Sequence, residues 1–382
     1  MTENIKYIIG AFILSAVCGF FFIPQIVAFC RRKGLYDAPN ERKIHHNSIP
    51  RLGGISFLPS MLLASLIVVV VYNQNYINHQ VTISSWSITF FISLLFIYGV
   101  GIVDDLVGLG AKSKFFFQAV AAILLPLSGL YINNLYGFLG FHEIPFVVGA
   151  PLTVFIIIFT CNAINLIDGI DGLSAGLSLL ALTGFLICFY REGINIYCVL
   201  IAGLMGVLIP FLYYNIWGNA SKNYKIFMGD SGSLTLGFIL GFLFVKFTMD
   251  NPNVRNFRLD SMLLAYTLLI VPTFDVVRIS LVRLWHHAPI FKADKNHIHH
   301  KLMRAGLTQH QTLVAVLSLA VFFIVLNLLL NRWCYLSTIL VVDILLWVAF
   351  HRALNHRIIR RNQLVFQPNL LQEDNHIPRL SL

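Results

Sequence analysis

The sequence predicts an all-α polytopic membrane protein of about eleven transmembrane helices, with its N-terminus outside and its C-terminus in the cytoplasm. Three observations carry this. Hydrophobic residues make up 57% of the 382 residues and charged residues only 12%, with a mean hydropathy of +0.76, whereas a soluble globular chain carries about a quarter charged residues. Apolar runs of about 20 residues, the length that crosses about 30 Å of hydrocarbon as a helix, recur along the chain. Lys and Arg collect in alternate connections. The same composition excludes disorder, collagen-like repeats and a secreted disulfide scaffold.

The first run, 5–30, is too long for the apolar core of a signal peptide and lacks a small-residue cleavage site, so it is expected to stay. Further crossings are expected at 53–72, 87–103, 115–132, 146–164, 174–190, 195–214, 231–249, 260–283, 311–330 and 334–352. The connections 73–86 and 133–145 hold no Lys or Arg, while the first, third and ninth connections and the C-terminal tail are basic. With the N-terminus outside, only Lys6, Arg191, Lys246, Arg255, Arg258 and Arg332 of the 27 basic residues fall near the outer face. The expected organisation is one transmembrane catalytic domain, 1–352, and a basic cytoplasmic tail, 353–382.

Six cysteines in apolar stretches, with no CxxC pair, suit packing rather than disulfides or zinc. The net charge of +10 is spread over cytoplasmic loops beside anionic lipid, so the bilayer is the expected partner and nucleic acid is not. The aromatics, 13% of the chain, are expected to be mostly lipid-facing phenylalanines.

Only 17 residues are Asp or Glu, and Asp104, Asp105, Asp168, Asp171 and Asp230 fall at the cytoplasmic ends of three spans. Carboxylates at the hydrocarbon border are costly unless paired or metal-bound. Gly99-Val-Gly-Ile-Val-Asp104-Asp105 ends the third span, and a cation or an ammonium would relieve the repulsion of its adjacent acids. Alone, it reads equally well as a solvated helix end. Asn162-Ala-Ile-Asn165-Leu-Ile-Asp168-Gly-Ile-Asp171-Gly172 ends the fifth, and a spacing of three puts both asparagines on one helix face. Its repeated Asp-Gly steps allow a turn or the close approach of a ligand. Phe227-Met-Gly-Asp230-Ser-Gly-Ser233 opens the eighth span and offers amides to an anion, or an ordinary helix cap.

The last loop carries Asp294-Lys-Asn-His297-Ile-His299-His300-Lys301, whose basic flanks suit a phosphate better than zinc. Asp275 and Arg278 read as an ion pair on one helix face, and Asp343 as an interhelical hydrogen-bond partner. His45 and His46, with Pro50-Arg-Leu-Gly-Gly54 after them, are expected to shape the first cytoplasmic loop. Gathered at one face, these groups suit a hard divalent cation that uses carboxylates together with substrate phosphates, and hence phosphoryl transfer between a soluble nucleotide and a lipid phosphate.

The four ordered motifs (Val103-Asp104-Asp105, Asn162 to Leu173, Phe227 to Ser233, and His297-Ile-His299-His300) resemble those of the polyprenyl-phosphate N-acetylhexosamine-1-phosphate transferases, glycosyltransferase family 4. The similarity runs from about residue 30 to about residue 305. It is strongest to the bacterial undecaprenyl-phosphate N-acetylglucosamine-1-phosphate transferases. Ile298 interrupts the three consecutive histidines of the peptidoglycan branch.

This resemblance implies transfer of N-acetylhexosamine 1-phosphate from a UDP-N-acetylhexosamine, N-acetylglucosamine by default, to undecaprenyl phosphate, with release of UMP. The setting would be the inner membrane, at the first membrane step of a cell-envelope polysaccharide such as O-antigen. Mg²⁺, or Mn²⁺ in its place, is the implied cofactor, held by Asp230 and Asn165. Asp104 and Asp105 would orient or deprotonate the lipid phosphate or hold the metal, and Lys114 would bind phosphate. Asp171 with the Gly169–Gly172 backbone would read uracil, Phe227 would stack on it, and Asp168 would support them. His297, His299 and His300 would meet the sugar-phosphate end. Another N-acetylhexosamine is the alternative donor, and a flippase the alternative class, disfavoured by the absence of internal repeats. The oligomeric state, a homodimer included, is left open.

Overall fold

The computed structural model describes residues 2–37, 49–75, 84–219, 224–252, 257–287 and 296–373. His45, His46, Asp294 and Lys295 lie outside them, as do Arg42, Lys43, Lys222, Arg255, Lys292 and Arg379 of the charge count.

Nine helices of the described residues are long and apolar enough to cross a membrane. They are α1 (Thr2–Lys33), α2 (Phe57–Asn75), α3 (Ser85–Val107), α5 (Phe146–Ile167), α6 (Leu173–Arg191), α7 (Asn195–Ile216), α8 (Gly229–Thr248), α12 (Gln309–Leu330) and α13 (Leu336–Glu373). The expected fourth crossing is α4 (Ala111–Leu127), whose 17 residues lie at the short end of what spans a bilayer. Its ends lie beside α3 and α5: Lys114 near its start meets the C-terminal end of α3, while Ile132, five residues past its end, bonds Thr153 in the first half of α5.

The expected ninth crossing is broken into α9 (Ser261–Leu268) and α10 (Ile270–Trp285), bent by 74°. Pro272 explains the break, because its ring lacks an N–H and would clash with the carbonyl of Leu268, four residues back. The seven-residue α11 (Ile298–Arg304) follows on the same face. Two short antiparallel pairs complete the fold: β1 (Tyr36–Asp37) with β2 (Ile49–Pro50), and the hairpin β3 (Asn134–Phe138) with β4 (Phe141–Glu143) between α4 and α5. The last helix continues without interruption well past residue 352, where its apolar run ends.

Helix α8 is the hub, with every residue from Ser231 to Thr248 buried. Apolar burial drives little association between helices in lipid, so close packing of small residues has to supply it. Gly237 and Gly241 lie against the backbone of α5 at Cys161 and Ile157, and Gly101 of α3 lies against Ser231. A Cβ at Gly237 would stand 2.5 Å from the Cys161 Cα, so a larger residue there would push α5 away. Beside the phenylalanines exposed on the outside of the bundle, others work inside it. Phe57, Phe185, Phe189, Phe211, Phe238, Phe242 and Phe247 are fully buried, and Phe90 stacks on Phe242 at 3.8 Å.

Candidate active site

The C-terminal ends of α3 and α5 and the N-terminal ends of α4 and α8 meet at one end of the bundle. Asp104 and Asp105 are both buried there. Gly108 ends α3 at φ 78°, a left-handed conformation that glycine adopts without strain. The turn brings the Leu109 amide within 2.6 Å of Asp104 Oδ1 as donor. The other oxygen, Oδ2, forms an ion pair with Lys114, whose ammonium also lies 3.3 Å from Asp230 Oδ1.

Asp105 does something different from its neighbour. Its Oδ1 accepts from the Asp230 amide at 2.7 Å and its Oδ2 from the Ser231 amide at 2.9 Å. The first N–H groups of a helix have no partner within it and carry the positive end of its dipole. A carboxylate from α3 therefore caps α8.

Asn165 of α5 donates through Nδ2 to Asp230 Oδ1 at 2.6 Å and to Ser233 Oγ at 2.8 Å. Asn162, one turn earlier, turns to Gln118 of α4 instead, at 2.7 Å. The segment before α8 is held by the connection between α1 and α2: Phe227 N donates to Pro50 O at 2.8 Å, and Gly53 and Gly54 donate to the Phe227 and Met228 carbonyls at 2.9 and 2.8 Å. Gly54 and Gly232 touch backbone to backbone, which is why this loop needs its paired glycines. The Phe227 ring is half-buried.

The turn from α5 to α6 places Asp168 beside these acids. Burial, then the negative charges of Asp230, Asp171 and Asp105, push its carboxyl up to about 8. Asp171 pairs with Lys225 at 2.6 Å, both side chains being almost buried. Asn215 ties the turn to the same strip of chain, accepting from Gly172 N at 2.6 Å and donating to Ile226 O at 2.9 Å.

Of the three histidines, His297 and His299 are buried and His300 is half-buried. The His299 ring rests directly on Gly169, leaving no room for a side chain there. Neither His299 nitrogen has a hydrogen-bond partner, and burial, then the neighbouring His300 and His297, push the ring down to about 3. Burial, with Arg278 and Arg304 nearby, also lowers the Lys301 ammonium, to about 8.

Local spacing left several contributors unassigned. Lys225 was only a topology charge, and its partner Asp171 is 54 residues away. Ser233 stood in the Phe227–Ser233 motif without a role of its own, and Asn215 carried no signal. Asp275 does pair with Arg278, as its spacing suggested, at 2.9 Å, but it also contacts His297. Asp343 accepts from Asn327 across two helices at 2.9 Å.

The oxygens at the centre are hard donors: the carboxylates of Asp104 and Asp230, the Asn165 carboxamide and the Ser233 hydroxyl. Asp104 Oδ2 has no hydrogen-bond donor besides the Lys114 ammonium. Among the described residues no three of His, Cys, Asp and Glu form a metal cage. A cation that keeps waters and binds one or two carboxylates with substrate phosphates needs none, so this donor set fits such an ion.

The model of glycosyl transferase family 4 matches residues 86–248, from α3 through α8. An undecaprenyl-phosphate alpha-N-acetylglucosaminyl 1-phosphate transferase of Yersinia pestis is 30% identical over 344 residues, covering 87% of this chain and 88% of that protein. A probable undecaprenyl-phosphate N-acetylglucosaminyl 1-phosphate transferase of Bacillus subtilis (strain 168) is 30% identical over 358 residues, 91% of each. The Escherichia coli (strain K12) protein named as in Yersinia is 31% identical over 301 residues, 78% of this chain and 76% of its own. With that extent of likeness across the helices that build the centre, the chain belongs to glycosyl transferase family 4.

Proposed function

We propose that this chain transfers N-acetylglucosamine 1-phosphate from UDP-N-acetylglucosamine to undecaprenyl phosphate, releasing UMP, at the cytoplasmic face of the inner membrane, with Mg²⁺ as cofactor. The observation that carries the reading is the meeting of Asp104, Lys114, Asn165 and Asp230, from four helices, in one bonded cluster. The names of the relatives supply the amino sugar and the lipid acceptor. The UDP donor is what the resemblance of the motifs implies, and the basic residues at this end of the bundle support the cytoplasmic side.

In this reaction a phosphate oxygen of the lipid attacks the sugar-linked phosphorus of the donor. The bond from that phosphorus to the bridging oxygen breaks, and UMP leaves with the oxygen. The sugar C1–O bond stays intact, so the pair of carboxylates that a glycosidase needs has no role. Phosphoryl transfer depends chiefly on positioning and on charge neutralisation.

Asp230 and the Asn165 oxygen would hold Mg²⁺, which supplies charge neutralisation at the diphosphate. Lys114 adds a positive charge beside the same carboxylates. Asp104, facing Lys114, is the member of the acid pair within reach of substrate, while both Asp105 oxygens are committed to the backbone of α8. His299, buried with two unmet nitrogens, suits a phosphate or sugar oxygen arriving over the Gly169 turn.

The test is UMP release by the purified chain. UMP should form only when UDP-N-acetylglucosamine, undecaprenyl phosphate and Mg²⁺ are all present, and more slowly with other UDP-N-acetylhexosamines. Faster turnover of another sugar would reassign the donor. Movement of lipid or sugar with no UMP would replace transfer by transport.

A further inference from the structure

We propose that Asp275 is a positioning residue of this site, holding the histidine-bearing helix α11 against the Asp168–Asp171 turn. The inference rests on the transferase reading for its kinetic consequence, and on geometry for the anchoring itself.

Asp275 lies in α10, just past the break in the ninth crossing, and is fully buried. Its Oδ2 lies 2.8 Å from His297 Nδ1, and an ionised carboxylate can only accept, so this ring nitrogen carries the proton. Both oxygens also accept from the Ile298 amide, at 3.1 and 3.2 Å, which caps the first residue of α11. Arg278 bonds Asp275 Oδ1 at 2.9 Å and the Asn296 carbonyl at 2.5 Å. One buried carboxylate, with the arginine it orients, therefore grips three successive residues at the entry to α11.

A helix of seven residues has too few internal bonds to set its own orientation. It takes its direction from its anchors. At the far end Arg361 of α13 donates to the Arg304 carbonyl at 3.2 Å. Between the anchors, Ile298 and Leu302 are buried and His299 presses on Gly169. His300 follows, its ring 4.2 Å from that of His299. Any rotation of α11 at Asp275 lifts His299 off the turn that carries Asp168 and Asp171. Asp275 touches neither that turn nor the cluster around Asp230 in any of these contacts. It acts through α11.

The experiment uses the full-length chain with Asp275→Asn, which keeps the size and one acceptor oxygen but cannot serve His297, Ile298 and Arg278 together. The expected kinetic result is a rise of about 10- to 100-fold in KM for the UDP-sugar, the range for residues that orient a binding group, with KM for undecaprenyl phosphate unchanged. In a double-mutant cycle with His297→Asn, the pair should lose little more than Asp275→Asn alone, because the contact that His297 makes is already broken in that variant. Equal rises in both KM values, or losses that multiply, would overturn the positioning role.

Amide hydrogen exchange provides a second readout that needs no activity. The amides of 298–304 should lose protection in Asp275→Asn while those of α8 keep theirs. Unchanged protection would overturn the anchor. A wild-type chain that forms no UMP would instead overturn the transferase reading and leave the exchange result to judge Asp275. If Asp275→Asn does not yield folded protein, Arg278→Gln removes the bond to the Asn296 carbonyl and should give the same pattern more weakly; no change in that variant would count against the proposal.

Discussion

Asp105 Oδ1 accepts the backbone amide of Asp230 at 2.7 Å, so one acidic residue of the site is a fixture for another. The Gly229 φ of 74° lets the chain enter α8 directly over this carboxylate. The two adjacent acids of α3 thus divide their work: Asp104 meets Lys114, and Asp105 sets where Asp230 stands.

Asp105→Asn should therefore behave as a loosened cap. The amide group can accept only one of the two N–H groups and presents its own N–H to the other, a loss of about 1–2 kcal/mol at a helix N-terminus. The expected kinetic signature is a higher Mg²⁺ requirement with the pH profile unmoved, measured as UMP release across a Mg²⁺ series. A displaced pH profile at an unchanged Mg²⁺ requirement would make Asp105 a base instead.

Lys225→Ala removes a charged partner of Asp171 at an almost buried site, where losing one member of an ion pair costs at most about 3 kcal/mol. A lower melting temperature in detergent and a raised KM for the UDP-sugar are expected, with Lys225→Arg restoring most of both. An unchanged melt would show that Asp171 does not depend on this pair.

The sequence made the location of the centre legible because carboxylates are rare in so apolar a chain, and five of them stood at span ends. It also showed the αα architecture, since apolar length alone marks a crossing. Contacts between remote segments were harder to see. Asp275 and His297 are 22 residues apart, and nothing in the spacing of either hints at the other. The broken ninth crossing had a visible cause in Pro272, masked by apolar residues on both sides. The burial of His297 and His299 depends on how α11 docks, and a motif of four residues does not encode that.

His299 gives a pH dependence with a definite sign. Its folded value, about 3, lies below the ordinary 6.5, so the unfolded chain binds more protons between these values. The contribution of this residue to stability is fully present above about pH 6.5 and is lost as pH falls toward 3. Replacing His299 with Leu should flatten this acid limb of the melting curve. A limb unchanged in the variant would assign it to other groups.

Phe227→Ala should weaken UDP-sugar affinity more than lipid affinity, because Phe227 stands three residues before Asp230 and its half-buried ring can offer base stacking. Separate KM measurements for the two substrates test this. Equal losses would place the nucleotide elsewhere.

UMP formation by Asp230→Ala, followed across Mg²⁺ concentrations in protein that melts like wild type, tests the shared centre most directly. If α3, α4, α5 and α8 build one cation-dependent site around this carboxylate, UMP release is abolished at every concentration. Turnover that returns to near the wild-type rate at high Mg²⁺ would contradict it.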